Sequence, residues 1–232
     1  MSVDFSAGTD RQVLSANLTT GSLISFGTWM LANTMGQGNS GAVWAHGITG
    51  GFRLYFKFNG TAGSNKLHMI SQRTTNGIWE MTTGFAAPLA RWRWVGVTYD
   101  MGATANHPTV YLLDQGAWSV LTNGAGLTRT SAPSGAVGAD AKPLHWGNNE
   151  ALNTSFVGYL AHGAAYSRLL TESEMRLVAE RGARRLPRDL LFSWPAVRAV
   201  SGVIKDERAT LDGTLSGGGT VISTAEHPPA RW

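Results

Sequence analysis

WRWVGVTYD, residues 92–100, is the most strand-like stretch of the chain, because aromatic and β-branched residues fill most of it. TVYLL, residues 109–113, follows after a short polar segment, and Asp114-Gln115-Gly116 supplies the residues of a tight turn. A third apolar piece, Trp118–Leu121, begins just after that turn. Strands joined by such short connections pair antiparallel, so this region predicts an all-β protein.

The segments before this region show the alternation of a half-buried strand. FRLYFKF, residues 52–58, would place Phe52, Leu54, Phe56 and Phe58 on one face, and Arg53, Tyr55 and Lys57 on the other. Lys66–Ser71 and Ile78–Thr82 are two further strands, and the Asn76-Gly77 dipeptide between them predicts a hairpin.

Other apolar runs predict strands at Ser22–Asn33, Ala42–His46, Leu144–Gly147 and Phe156–Tyr166. Residues 122–142 are rich in Gly, Ser, Thr and Ala and predict a loop. Thr171–Arg181 predicts one helix, because Thr171 and Glu174 form a capping box and Gly182 can end it.

The composition agrees with a sandwich of strands and turns. The chain has 232 residues, of which 29 are Gly and 9 are Trp, and only 15% are charged against about 25% in an average domain. It has no Cys, which excludes disulfides and thiolate metal sites. The net charge is +4, but Lys and Arg form no dense run, so we expect no nucleic-acid partner.

The chain divides at residue 186. Residues 1–186 predict one sandwich domain, and residues 187–232 predict an extended tail that packs on the sandwich or on a neighbouring subunit. The tail contains apolar residues that would be costly to expose, among them Phe192, Trp194 and Trp232, and they are its predicted partner-binding residues. Neither a signal peptide nor a membrane-spanning apolar run is visible, so we expect cytoplasmic synthesis and no membrane insertion.

Five segments in order resemble the concanavalin A-like superfamily, in particular its laminin-G-like, pentraxin-like domains of bacterial and phage type. They are VDFSAGTDRQVLSA (Val3–Ala16), FGTWMLAN (Phe26–Asn33), WRWVGVTYD (Trp92–Asp100), TVYLLDQG (Thr109–Gly116) and FVGYLAHGAAYSRLLTESEMRLVAERG (Phe156–Gly182). The resemblance implies a two-sheet antiparallel jelly-roll sandwich with one short C-terminal helix, and it leaves the tail unexplained.

The superfamily includes glycoside hydrolases, which need two carboxyl groups on either side of the scissile bond. The Glu-x-Asp-x-x-Glu pattern of those hydrolases is absent here, and among the seven acidic residues before position 170 no two lie within four positions. We therefore expect no catalysis. The chain also lacks a Gly-x-Ser-x-Gly nucleophile motif and any His spacing typical of a metal site.

The resemblance also suggests two kinds of ligand, Ca²⁺ and a sugar, although we expect no cofactor. Relatives that bind Ca²⁺ use loop oxygens, for which the candidates are Asp100, Asp114 and Asp140, with Asn148, Asn149 and Glu150 nearby. Asp100 and Asp114 have the simpler alternative of making turns. A sugar would need an exposed aromatic platform, for which Trp146 with Asn148 and Asn149 is the main candidate, and Trp92 and Trp118 are others.

Two functions follow as expectations. The first is a non-catalytic structural protein of a bacteriophage virion, most simply a capsid decoration protein and otherwise a tail or fibre protein, that binds capsid or other virion proteins and forms a homo-oligomer. The second is a carbohydrate-binding lectin module for attachment to host glycans. The apolar tail favours the first, and an exposed aromatic platform would favour the second.

Overall fold

The computed structural model describes residues 2–5, 11–14, 18–47, 54–58, 65–85, 89–138, 143–148, 154–194, 199–200, 203–204, 206, 212–216 and 220–222. Within these ranges the chain is almost entirely strand and turn. The strands are β1 (Ser2–Phe5), β2 (Arg11–Leu14), β3 (Leu23–Ala32), β4 (Ala42–His46), β5 (Leu54–Phe58), β6 (Leu67–Ser71), β7 (Gly77–Met81), β8 (Trp92–Asp100), β9 (Thr109–Asp114), β10 (Ala117–Asn123), β11 (Gly126–Ser131), β12 (Leu144–Trp146), β13 (Gly158–Tyr166), β14 (Leu190–Trp194), β15 (Ala199–Val200), β16 (Val203–Ile204), β17 (Gly213–Ser216) and β18 (Thr220–Ile222).

Helical structure is limited to α1 (Glu172–Arg181) and two short 3-10 turns, Gln37–Asn39 and Ala183–Arg185, in the described residues. None of these helices is long and apolar enough to cross a membrane. The predicted helix is confirmed. Thr171 accepts a hydrogen bond from the Glu174 amide, Glu174 completes the capping box, and Gly182 follows at φ 81°.

The strands form two antiparallel sheets, which confirms the predicted two-sheet sandwich. Sheet A has the order β18-β1-β13-β3-β8-β9-β10, and β14 pairs with β13 on the same side as β1. Sheet B has the order β11-β7-β6-β5-β4-β12-β2-β17-β16-β15. The sheets are joined where β10 leads through a tight turn into β11.

A large aromatic core lies between the two sheets. The Trp146 ring lies 5.7 Å from the Trp194 ring, and the Trp44 ring lies 5.7 Å from the Phe192 ring. Phe26 of sheet A contacts Trp44 of sheet B at 5.3 Å between ring centroids. Alternate residues of each central strand supply this core, as the period of two in a strand requires.

The predicted role of Phe192 and Trp194 in partner binding is wrong. Both side chains are fully buried in the chain's own core, because Leu190–Trp194 is strand β14 and pairs with β13. The tail therefore packs on the sandwich at its beginning, and β17 and β18 add further strands beside β2 and β1. Trp232 lies outside the described residues.

A second apolar layer lies on the outer face of sheet A, where α1 packs on it. Trp29 donates a hydrogen bond from Nε1 to the Ala179 carbonyl at 3.2 Å, which ties β3 to the helix. Trp94 lies over two glycines of neighbouring strands, Gly27 and Gly96, and a Cβ at either position would overlap its ring. The central strands of sheet A, β3 and β8, are therefore buried on both faces.

The predicted loop at 122–142 is partly wrong. Gly126–Ser131 forms strand β11, which pairs with β7 at the edge of sheet B. Most of its side chains are exposed, and Leu127 is its buried anchor in the core. A strand so poor in apolar residues lacks the pattern by which strands are identified from sequence.

Candidate functional site

The predicted ligand platform at Trp146 is wrong, because the structure buries this side chain completely between the sheets. Asn148 is also fully buried. Its side-chain amide donates to Ser155 Oγ at 2.7 Å and accepts from the Thr154 backbone amide at 3.2 Å, so it is engaged within the fold. Neither residue can contact a ligand on the surface, and Asn149 lies outside the described residues.

The predicted calcium ligands do not come together. Arg93 on β8 pairs with Asp114 on β9, so Asp100 lies seven residues further along β8, about 23 Å away at the rise of a strand. Asp114 binds Arg91 and Arg93, at 2.8 and 3.0 Å, and Asp100 accepts the Gly102 amide in a turn at 2.7 Å. Asp140 lies outside the described residues, which elsewhere bring together no group of three His, Asp or Glu side chains fit for a metal.

The outer face of sheet B, formed by the outward side chains of β4 to β7, contains two adjacent rows of a different character. In the polar row, strand pairing aligns Lys57 with His68, and His68 with Glu80. In the apolar row, the same pairing aligns Ala45 with Tyr55, Tyr55 with Ile70, and Ile70 with Ile78. Neighbours within a row have Cβ atoms about 5 Å apart, and the rows are separated by two residues along each strand, about 7 Å.

The polar row is a network around one carboxylate. Glu80 accepts hydrogen bonds from Lys66 at 3.1 Å and contacts the Nε2 atom of His68. Burial raises the pKa of Glu80, but the hydrogen bonds and charges of His68 and Lys66 outweigh that effect and lower it overall. The side chains of His68 and Glu80 are 19% and 20% exposed, so a ligand can still reach them.

The apolar row is partly accessible and has a polar end. Ile70 and Ile78 are half-buried, and Tyr55 is buried with its hydroxyl hydrogen-bonded to the Thr154 hydroxyl. The Lys57 amine lies 5.7 Å from the centre of the Tyr55 ring, a cation–π distance that joins the two rows. Burial lowers the pKa of the Lys57 amine below its usual value.

An apolar row beside a polar row suits the two kinds of surface that a sugar ring presents, its C–H face and its hydroxyl groups. The arrangement does not suit glycoside hydrolysis, since β4 to β7, β11 and β12 contain Glu80 as their single carboxylate. A general acid also needs a raised pKa, whereas the pKa of Glu80 is lowered.

Comparisons with known proteins concern the fold. No protein-family model matches the chain, and no curated protein matches its sequence. A solved structure from Bacteroides ovatus, described as a "putative carbohydrate binding protein", has a TM-score of 0.63 at 16% identity over 96% of this chain. The chain spans 60% of the length of that protein.

Two other solved structures share the sandwich. The heptameric SAP-like pentraxin of Limulus polyphemus has a TM-score of 0.55 at 11% identity, over 77% of this chain and 81% of its own. The fold is concanavalin A-like. Tailspike protein 2 of the Escherichia coli O157:H7 bacteriophage CAB120 contains the same concanavalin A-like sandwich, with a TM-score of 0.51 at 14% identity, over 79% of this chain and 25% of the tailspike.

The outer face of sheet A is the other aromatic surface of this concanavalin A-like sandwich. Trp92 and Trp118 are half-buried there, beside α1. Trp118 stacks on Trp94 with ring centres 5.7 Å apart and donates its indole hydrogen to Glu172 at 3.1 Å. The Trp118 ring is thus committed to the packing of the helix, which makes this surface a poorer ligand platform than the outer face of sheet B.

Sequence reasoning missed His68 and Glu80 but not the pattern that contains them. The alternation in residues 52–58 had already assigned Tyr55 and Lys57 to the face opposite the core. The confirmed hairpin around Asn76-Gly77 brings His68 opposite Glu80. Extending the alternation across that hairpin would have found the polar row.

Proposed function

We propose that this chain is a non-catalytic carbohydrate-binding module that uses the outer face of sheet B as its binding surface. The observation that carries the proposal is the adjacency of the two rows. Ile70 and Ile78 offer an apolar surface to the C–H face of a sugar ring, and the row from Lys57 to Glu80 offers donors and acceptors for its hydroxyl groups. Both rows lie on rigid strands, so the surface is preorganised.

The location that we propose is a bacteriophage virion, where such a module would attach to host-surface glycans. The tailspike of bacteriophage CAB120 contains this fold, and the Bacteroides protein is named for carbohydrate binding. A glycan ligand suits both comparisons. The buried positions of Phe192 and Trp194 remove the main argument for capsid decoration, so glycan binding becomes the first proposal.

A glycan array with the purified chain, followed by calorimetry on the best ligand, tests the proposal. Ile70→Ser should weaken binding about tenfold, since a tenfold loss corresponds to about 1.4 kcal/mol of apolar contact. Val120→Ser, a matched change at a half-buried position on the outer face of sheet A, should leave the affinity unchanged. Absence of any glycan binding, or equal losses in the two variants, would contradict the proposal.

Capsid decoration remains a second proposal, together with the homo-oligomer expected from the sequence. Its specific support is that strands of the tail form one edge of each sheet. In the described residues, β18 lies beyond β1 in sheet A and β15 lies beyond β16 in sheet B. Free strand edges can pair with a neighbouring subunit. Deletion of residues 195–232 keeps β14 in the core and should abolish co-sedimentation with capsids if the tail binds them. Undiminished co-sedimentation would reject this role for the tail.

A further inference from the structure

Lys57 is a cation without an acidic partner on the outer face of sheet B. Its side chain is half-buried, and within the described part of the chain its amine makes no ion pair and no hydrogen bond. The amine lies 5.7 Å from the centre of the Tyr55 ring. Burying a charge without a counter-charge is costly, and the lowered pKa of Lys57 reflects that cost.

The basic side chains around Lys57 outnumber the carboxylates in the described residues of this face. His68 is its partner across the strand pair, and both His68 and Lys66 already bind Glu80, the one carboxylate among the described residues of this face. Glu80 is therefore occupied by two other residues and does not neutralise Lys57. The chain as a whole carries a net charge of +4, which favours the approach of an anionic ligand.

We propose that Lys57 binds the anionic group of an acidic saccharide, whether a carboxylate, a sulfate or a phosphate, an inference that rests on the proposed carbohydrate-binding function. A charge-assisted hydrogen bond from the Lys57 amine is the principal contact. The sugar ring then extends over Ile70 and Ile78 in the apolar row. The His68 ring, at the next position of the polar row, lies close enough to contact the same group or a neighbouring hydroxyl.

The test uses matched pairs of oligosaccharides that differ only in charge. One pair is oligogalacturonate and its methyl ester, a second is a sulfated glycan and its desulfated form, and a third is a phosphorylated glycan and its dephosphorylated form. We expect one anionic member to bind at least tenfold more tightly than its neutral partner. The pair that responds identifies the anionic group.

Four variants connect that preference to Lys57. Lys57→Met should reduce the charge preference about tenfold, and Lys57→Arg should retain most of it. Glu80→Gln should strengthen binding of the anionic glycan severalfold, because it removes the competing carboxylate, an increase that a purely structural role would not produce. Arg129→Met removes an exposed positive charge from the edge strand β11, where Arg129 lies opposite the inward-facing Trp79 and outside the polar row. It should have no effect beyond a small, salt-sensitive one.

The outcomes separate the two proposals. Equal binding of charged and neutral glycans would overturn the inference about Lys57 and leave the carbohydrate-binding function standing. A charge preference that survives Lys57→Met, or that falls equally with Arg129→Met, would also overturn it. Absence of binding to every glycan would reject the carbohydrate-binding function itself. If thermal unfolding shows that Lys57→Met does not fold, the other two variants decide the question. The inference then requires that Lys57→Arg retain the charge preference and that Glu80→Gln strengthen binding of the anionic glycan, and failure of either would overturn it.

Discussion

The outer faces of the two sheets differ in character. The outer face of sheet A is apolar and covered by α1, with Trp29, Trp94 and Met175 buried between sheet and helix. The outer face of sheet B has no helix over its described residues and presents Lys57, His68 and Glu80. The inner faces share one core, whereas one outer face is buried under a helix and the other leaves polar side chains partly exposed. The first therefore contributes to stability, and the second is the surface to which we assign the proposed binding.

The packing of Trp94 on the covered face requires two glycines in the strands beneath it. Gly27 and Gly96 lie opposite each other on β3 and β8, and the Trp94 ring occupies the space that their side chains would need. The two glycines lower the intrinsic strand propensity of both segments. Burial of a large indole under α1 offsets that loss.

The largest expected effect is that of Trp94→Ala. The side chain is 1% exposed, so its removal should lower the free energy of unfolding by about 3–5 kcal/mol in urea denaturation. His68→Ala on the outer face of sheet B should change it by about 0.5 kcal/mol or less. Similar losses of unfolding free energy in the two variants would contradict the difference in role between the two outer faces.

The next effect is that of Gly96→Ala, which should cost about 1–3 kcal/mol because the added methyl group overlaps the Trp94 ring and the Met175 side chain. In a Trp94→Ala background the same change should cost much less, since the ring is gone and only the flexible end of the Met175 side chain still overlaps the methyl group. A double-mutant cycle measures this coupling. Additive costs would mean that Trp94 does not restrict position 96.

Loss of the Glu174 carboxylate, which anchors the start of α1, should have a smaller effect on the free energy of unfolding. Hydrogen bonds from Arg168, followed by those from Thr171, lower the pKa of Glu174 to about 2 against the opposing effect of burial. Glu174→Gln should therefore cost about 1 kcal/mol at neutral pH.

The pH dependence of that cost has a defined sign. Because the pKa of Glu174 is about 2 in the fold and about 4.3 in an unfolded chain, its contribution is present above about pH 4.3 and is lost as the pH falls toward 2. The melting temperatures of wild type and Glu174→Gln should converge over that range. A constant difference between them would contradict the role of the ionised carboxylate.

A smaller effect on stability than that of Glu174→Gln is expected from Glu80→Gln. The lowered pKa of Glu80 has the same sign, so its contribution is present near neutral pH and lost in acid, and exposure to water limits it to under about 1 kcal/mol. Thermal unfolding at pH 7 measures it. A loss larger than that of Glu174→Gln would show that the polar row of sheet B is structural rather than available for a ligand.

Local rules were enough to predict much of the fold. β4 and β8 begin and end where the sequence predicts them, and the capping box at Thr171 fixes the start of α1. The expected jelly-roll sandwich is confirmed. It could be predicted because the alternation of apolar residues and the turn residues act over short distances in the sequence. β11 was missed because its pairing with β7 compensates for a weakly apolar sequence.

The candidate site was less predictable, because burial of an aromatic residue depends on which sheet faces it. Trp146 and Trp118 look alike in sequence, but one lies between the sheets and the other lies at the edge of the α1 layer. Phe192 and Trp194 looked exposed in a tail until strand pairing placed them in the core. Such long-range pairing has no local sequence pattern.

Chemical-shift mapping tests the central claim, the division between the two outer faces, most directly. Backbone amide signals of the ¹⁵N-labelled chain would be followed during titration with the glycan that binds best on the array. The account predicts that the largest shifts fall on β5, β6 and β7, around Lys57, His68 and Ile78. Shifts concentrated instead around Trp92, Trp118 and the start of α1 would place the binding surface on sheet A and contradict the account.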